Sequence, residues 1–146
     1  MTKFIEETLY KTITENIPIL CVDIVVKYKD QYLLVKRNTE PMQDVFWPIG
    51  GRIYKAEAAV IAARRKLLEE ANIKTYNDPT PIGFYEDVFL KNAFSDNVQY
   101  HTLSIVYECT IDDFAIENIK LDGTSSAWKL SDVLPPRFKV KPFIGN

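Results

Sequence analysis

Residues 51–73 constrain the fold more than any other part of the chain, because a glycine-led loop runs directly into a helix with two unlike faces. At 100° per residue, Lys66, Glu69 and Glu70 fall within a sector of about 100°. The residues on the opposite side are apolar and would face a core: Val60, Ala63, Leu67 and Ala71. The spacing therefore predicts a helix over about residues 55–71, with one buried face and one charged face.

The charged face of this helix has two interpretations. Adjacent carboxylates, here Glu69 and Glu70, repel each other unless positive charge lies nearby, and Mg²⁺ takes oxygen ligands that it often shares with substrate phosphates. Other residue types that suit a phosphate site precede them at fixed offsets: Gly51, Glu57 after five intervening residues, and Arg65 after seven more. The alternative is a solvated face of charged side chains, the commonest fate of such residues on a helix. The residues alone leave both interpretations open.

The remaining segments predict an α/β arrangement in a single domain, residues 1–146, without repeats or a linker. We expect a helix over about residues 4–16 and strands over residues 19–28, 31–37, 83–90, 100–111 and 127–130. Residues 38–49 carry two prolines and no periodicity, and residues 90–98 carry turn-forming residues, so both are predicted loops. From about residue 134, two prolines and several basic residues predict a loosely ordered tail.

The segment over residues 51–73 resembles the Nudix box, in which Gly is followed after five residues by Glu, after seven more by Arg, and then by a Glu-Glu pair. The positions that match are Gly51, Glu57, Arg65, Leu67, Glu69, Glu70 and Ile73. Asn72 stands where the family has Gly, a mild departure because Asn tolerates the left-handed turn that ends a helix. Lys66 stands where the family has a Glu that in most members binds metal or serves as base, and it brings positive charge to this face.

The resemblance to the branch that hydrolyses GDP-mannose at the sugar carbon extends over most of the chain. The similar stretches are residues 18–26, 33–41, 47–53, 83–89 and 94–108. This resemblance implies the Nudix fold, an α/β/α sandwich with a mixed β-sheet and a loop-helix-loop box. It also implies a divalent cofactor, Mg²⁺ or Mn²⁺, and hydrolysis of a GDP-sugar such as GDP-mannose to GDP and free sugar.

The same resemblance implies a metal site and a set of catalytic residues. The implied metal ligands are Gly50 through its carbonyl, Glu70, Glu69 and Asp122. The implied catalytic residues are Arg52, Arg65 and Glu69. Glu57 would orient Arg65 through a salt bridge. Asp23, which is costly in an apolar strand unless it is paired, would hold an arginine.

Substrate contacts and a partner subunit are implied as well. The implied substrate-binding residues are Phe4, Ile5, Tyr10, Arg37 and Arg52. The two arginines would grip diphosphate oxygens, because a planar guanidinium binds them bidentately. The other three match positions that contact the nucleotide from the neighbouring subunit, which implies a homodimer with an exchanged N-terminal helix.

The general base is not identified by sequence. In the resembling enzymes a late loop carries Gln-His shortly before a Trp, and here residues 120–128 have Asp122-Gly123 at about that place. The chain has a single histidine, His101, on a predicted strand, where it serves either as a hydrogen-bonded strand residue or as a base.

Composition limits the classes of function. With 146 residues, 47% of them hydrophobic, the chain can bury one substantial core. A net charge of −2, with basic residues scattered apart from residues 64–66 and 139–141, argues against nucleic-acid binding. The absence of a long apolar window argues against a membrane span. Cys21 and Cys109 lie in apolar runs, as reduced core thiols of a cytoplasmic protein do. Three hypotheses remain: a GDP-sugar hydrolase, a Nudix diphosphatase that attacks phosphorus in another nucleoside diphosphate linked to X, and a catalytically weakened nucleotide-binding module.

Overall fold

A computed structural model describes residues 4–90 and 99–144. Most of the predicted loop over residues 90–98 lies outside these residues. The elements in chain order are α1 (Glu7–Asn16), β1 (Ile19–Tyr28), β2 (Gln31–Arg37), β3 (Phe46–Trp47), β4 (Ile49–Arg52), α2 (Ala59–Ala71), β5 (Thr80–Phe89), β6 (Tyr100–Thr110), α3 (Asp113–Glu117), β7 (Ser125–Ser131) and β8 (Lys141–Pro142).

The strands form one mixed sheet with β1 at its centre. The order in the described part of the chain is β3-β2-β1-β6-β5-β8, while β4 pairs with β1 and β7 with β2. Strand β1 runs parallel to β6, with Asp23 opposite Val106, and antiparallel to β2 and β4. Helices flank this sheet, so the predicted α/β arrangement with a mixed sheet is confirmed. Within residues 4–90 and 99–144, no helix is both long and apolar enough to cross a bilayer.

Alternation along β1 builds a core on each face of the sheet. Val22, Ile24 and Val26 point to one face and pack against the apolar side of α2, where Leu67 is fully buried. Burial of such a leucine contributes about 1.5–3 kcal/mol. Val25 points to the other face, into a cluster with Trp47, Tyr85, Val106 and Phe138. The box helix is therefore anchored by its apolar side, which leaves its charged side at the edge of the sheet.

Both predicted helices begin later than expected. Helix α1 starts at Glu7 rather than at residue 4, because the Glu6 carboxylate accepts hydrogen bonds from the backbone N–H groups of Thr8 and Leu9 and caps the helix there. Helix α2 starts at Ala59 rather than at residue 55. Asn72 ends it in the left-handed conformation, φ 57°, as its place in the box predicted.

Three further expectations are corrected. The predicted loop over residues 38–49 contains β3 and the start of β4, and the short helix α3 was not predicted. Residues 134–144 are not a loose tail, since Phe138 is buried against Trp47 and Tyr85, and β8 pairs with β5. Phe138 thus completes the apolar cluster that contains Val25, Trp47 and Tyr85.

Candidate active site

An arginine clamp fixes the loop between β4 and α2. Arg65 donates from Nε to Glu57 Oε2 at 2.7 Å, and from Nη2 to Glu57 Oε1 at 2.9 Å and to the Arg52 carbonyl at 3.0 Å. Its guanidinium lies 3.8 Å from the centre of the Tyr54 ring. The hydrogen bonds from Arg65 hold the pKa of Glu57 below its usual value despite partial burial. The predicted salt bridge between Glu57 and Arg65 is present, and it fixes the Arg65 guanidinium.

Arg52, which follows the glycine pair, lies among aromatic rings. Its guanidinium is 5.0 Å from the Tyr54 ring and 5.6 Å from the Tyr10 ring. The Tyr10 hydroxyl lies 3.1 Å from the hydroxyl of Tyr100 on β6. The structure thus places Tyr10 beside Arg52 of its own chain, whereas Phe4 is 83% exposed.

The two carboxylates at the end of α2 share one ammonium group. Lys66 Nζ lies 3.5 Å from Glu70 Oε1 and 3.9 Å from Glu69 Oε2. Glu70 is buried, and its Oε2 has no hydrogen-bond partner among the described residues. Burial raises the pKa of Glu70, and the neighbouring Lys66 charge opposes that rise. Lys66 and Glu70 thus form an ion pair one helical turn apart on α2.

The late loop brings a hydroxyl and a third carboxylate to Glu70. Thr124 Oγ1 lies 2.6 Å from Asp122 Oδ1 and 3.1 Å from Glu70 Oε1. The Thr124 hydroxyl has one proton and can donate to one of them at a time. Asp122 further raises the pKa of Glu70 through charge repulsion. Thr124 was missed by sequence reasoning, which had no signal for it beyond its place in that loop.

These oxygen atoms do not fit a divalent ion as they are arranged. The Lys66 side chain runs across Gly51, where an added Cβ would be 2.6 Å from its Cε and 3.0 Å from its Nζ. An ammonium group therefore stands against the carboxylates that Mg²⁺ would need, and Mg²⁺ demands a near-octahedral set of oxygens. In the part of the chain that the structure describes, no group of three or more His, Cys, Asp or Glu side chains is placed to hold a metal.

A cavity of about 110 Å³ opens beside the box, between β1, β4 and β6. Asp23, Gly50, Arg52 and Arg37 contribute to its wall, and Arg37 is held by a 2.7 Å hydrogen bond from Nε to the Pro41 carbonyl. Two arginines at one small cavity suit an anion with several oxygens.

Asp23 does not hold an arginine as predicted. Its carboxyl is buried and hydrogen-bonded to Ser104, and Arg37 acts on it through charge alone. Burial raises the pKa of Asp23 to about 7, against the opposing effects of Ser104 and Arg37. Sequence reasoning missed this because the partner comes from a strand that lies more than 80 residues away in the chain.

The structure does not bring His101 to this cavity. Tyr100, Thr102 and Ser104 on β6 line the cavity, so the alternation of a strand turns His101 to the other face of the sheet. There its Nε2 lies 2.8 Å from Glu86 Oε2. His101 is therefore a hydrogen-bonded strand residue.

A larger cleft, about 530 Å³, lies elsewhere, between the end of α2, the end of β6 and α3. It shares no lining residue with the smaller cavity and holds none of the charged residues of the box. The smaller cavity is the candidate active site because the arginines, Asp23 and the glycine pair meet there.

Residues 18–140 match the model of the NUDIX domain. The chain belongs to the Nudix family. It is 25% identical to the low-salt glycan biosynthesis protein Agl8 of Haloferax volcanii, over 98% of this chain and 88% of that protein. Among solved structures, it is similar to a MutT NUDIX hydrolase from Burkholderia pseudomallei (TM-score 0.68, 18% identity, 85% of this chain and 92% of that one). It is also similar to the NUDIX domain of Shewanella oneidensis NrtR, which was solved with ADP-ribose (TM-score 0.59, 16% identity, 86% and 82%). Both structural likenesses concern the fold.

Proposed function

We propose that this Nudix protein is a hydrolase of a nucleoside diphosphate sugar such as GDP-mannose, releasing GDP and free sugar. The observation that carries the proposal is the meeting of Arg37 and Arg52 at one small cavity beside the box. Two relatives support the choice of substrate class. The name of Agl8 refers to glycan biosynthesis, and the NrtR domain was solved with ADP-ribose, itself a nucleoside diphosphate sugar.

The side chains at the cavity suggest how such a substrate is held. Arg52, held between the rings of Tyr10 and Tyr54, and Arg37, anchored on a carbonyl, each offer a planar fork to diphosphate oxygens. The lack of a side chain at Gly50 leaves room in the cavity, because a Cβ there would collide with the Asp23 carboxylate. Arg65 keeps the loop in place and does not reach for the substrate, because Glu57 and Glu69 occupy its donors.

Asp23 is the group that we assign to proton transfer. It lines the cavity and its pKa is about 7, so it can take up or release a proton near neutral pH. This assignment replaces the late-loop histidine of the resembling enzymes, since residues 120–128 contain none.

In this proposal, the divalent metal ion of the resembling branch, Mg²⁺ or Mn²⁺, binds less well than it does in that branch. Its ligands would be Gly50, Glu69, Glu70 and Asp122, and the Lys66 ammonium now lies against two of them. We propose that at most one ion binds, weakly, and that Lys66 must move for it to do so.

A homodimer completes the proposal. Phe4 and Leu9 are exposed apolar residues at the N-terminal helix, and they would cover the nucleotide site of a second copy. We place the protein in the cytoplasm, in keeping with the free thiols of Cys21 and Cys109.

The Lys66 substitution and the missing late-loop histidine favour a second candidate, a catalytically weakened nucleotide-binding module. A diphosphatase that attacks phosphorus is the third. Incubation with GDP-mannose, and then with other nucleoside diphosphates linked to X, in water labelled with the heavy oxygen isotope separates all three. Label in free mannose means attack at carbon, and label in GMP or mannose phosphate means attack at phosphorus. Binding without turnover means a module.

Two variants make this experiment specific. Arg52→Gln should lower turnover by about tenfold or more, since a charge-assisted contact to diphosphate is lost. His101→Gln, on the other face of the sheet, should leave turnover unchanged. Equal turnover in Arg52→Gln and the parent protein would remove the cavity from the proposal, and a screen of other nucleotide sugars would then identify the substrate.

A further inference from the structure

Lys66 lies between the glycine pair and the two carboxylates of the box. It lies on α2 one turn before Glu70, and its side chain is 15% exposed. Its methylenes cover Gly51, where an added Cβ would lie 2.6 Å from Lys66 Cε and would force the lysine side chain to shift. The ammonium group is thus set at the junction of the glycine pair and the two carboxylates, beside the cavity that Gly50 and Gly51 line.

The ammonium protons are not committed to short bonds. Its contacts with Glu70 and Glu69 are 3.5 and 3.9 Å long, whereas a charge-assisted N–H···O bond is about 2.7–2.9 Å. A lysine ammonium has three donors and is a compact charge well suited to phosphate oxygens. It can therefore balance Glu70 and still donate to an anion that lies beside Gly51, which lines the cavity.

The same charge opposes a divalent ion. Two cations that share the Glu70 and Glu69 oxygens at these distances repel each other strongly in a buried site. Lys66 and Thr124 both lie at Glu70 Oε1, so a divalent ion at that oxygen would meet the Lys66 charge directly.

We propose that Lys66 is the resident cation of this site and binds a phosphate oxygen of the nucleoside diphosphate, so that nucleotide binding needs no divalent ion. This inference rests on the proposed nucleoside diphosphate ligand. It adds a phosphate-binding residue at a position where the Nudix box has a carboxylate.

Calorimetric titration of the whole protein with GDP, once in EDTA and once with Mg²⁺, tests the proposal. For the parent protein, we expect dissociation constants that agree within about threefold in the two buffers. Lys66→Met, which keeps most of the side-chain volume and loses the charge, should weaken binding in EDTA by about tenfold or more. Lys66→Glu should bind GDP only with Mg²⁺. Lys74→Met, an exposed change just after α2 with the same loss of charge, should bind as the parent does.

Either of two results in the GDP titrations would overturn the proposal: parent protein that binds GDP only with Mg²⁺, or Lys66→Met that binds as tightly as the parent in EDTA. If Lys66→Met does not fold, as circular dichroism would reveal, Lys66→Gln takes its place, and the parent titration stands without either variant. Inorganic pyrophosphate serves as a second probe. If neither GDP nor pyrophosphate binds in either buffer, the proposal is also overturned. GDP binding in EDTA without turnover of any nucleotide sugar would defeat the proposed function alone. Turnover with strictly Mg²⁺-dependent GDP binding would defeat this inference alone.

Discussion

Replacing the Asp23 carboxyl by an amide should stabilise the protein in a pH-dependent manner. Asp23 is buried, and burial raises its pKa from the ordinary value of 3.8 to about 7. Asn keeps the shape of the side chain and can still accept the hydrogen bond from Ser104, but it never ionises. Asp23→Asn therefore isolates the energetic cost of the buried charge.

The magnitude follows from proton linkage. Below about pH 4 the carboxyl is protonated in the folded and unfolded chains, and its ionisation costs nothing. Between 3.8 and about 7 only the unfolded chain ionises, so the free energy of unfolding falls by about 1.4 kcal/mol for each pH unit. Above pH 7 the full cost of about 4 kcal/mol is present. The difference in the free energy of unfolding between Asp23→Asn and the parent protein should therefore increase by about 4 kcal/mol from low pH to pH values above 7.

Urea unfolding followed by the fluorescence of the buried Trp47, at several pH values between about 4 and about 8.5, measures this difference. Asp30→Asn, in the exposed turn between β1 and β2, is the matched control for loss of one negative charge. A difference between the Asp23→Asn and parent proteins that stays constant with pH would refute the reasoning, because it would mean that Asp23 ionises alike in both states.

Three further outcomes are expected. In chemical unfolding, Glu57→Gln should lower the free energy of unfolding by about 2 kcal/mol, because the charged partner of Arg65 is lost. In the same assay, Glu69→Gln should lower it by less than about 1 kcal/mol, because that carboxylate is 45% exposed. Deleting residues 1–10 should raise KM and shift the protein toward monomer, as kinetics and light scattering would measure; a dimer with unaltered KM would contradict this. Glu70→Gln should lower turnover by about tenfold or more and remove most of any residual Mg²⁺ binding, while unchanged rates and metal affinity would mean that the box is structural only.

The long elements of the fold were predictable because their patterns are local. The apolar run of β1 and the two faces of α2 follow from strand and helix periods, and both lie within a few residues of their expected bounds. The end of α2 at Asn72 and the Glu57–Arg65 pair follow from spacing in the box. Strands β3 and β4 were missed because two to four residues are too few for a period to be seen.

The features that could not be predicted from the sequence depend on contacts between residues that are distant in the chain. Asp23 was expected to need a partner, but its partner, Ser104, is set by the parallel register of β1 and β6. Thr124 reaches Glu70 only because the late loop folds back on α2. Phe138 seemed part of a loose tail because prolines dominate that segment, and no local pattern indicates the cluster that it joins.

The parallel pairing of β1 with β6 has a consequence for synthesis on the ribosome. Residues 19–28 emerge early, yet the strand that covers one of their edges begins at Tyr100. At a synthesis rate of about 5–20 residues per second, this apolar edge of β1 stays unpaired for several seconds. Until then it is an open template for other nascent strands. The emergence of β6 therefore ends the interval in which the edge of β1 is exposed to chaperones and to aggregation.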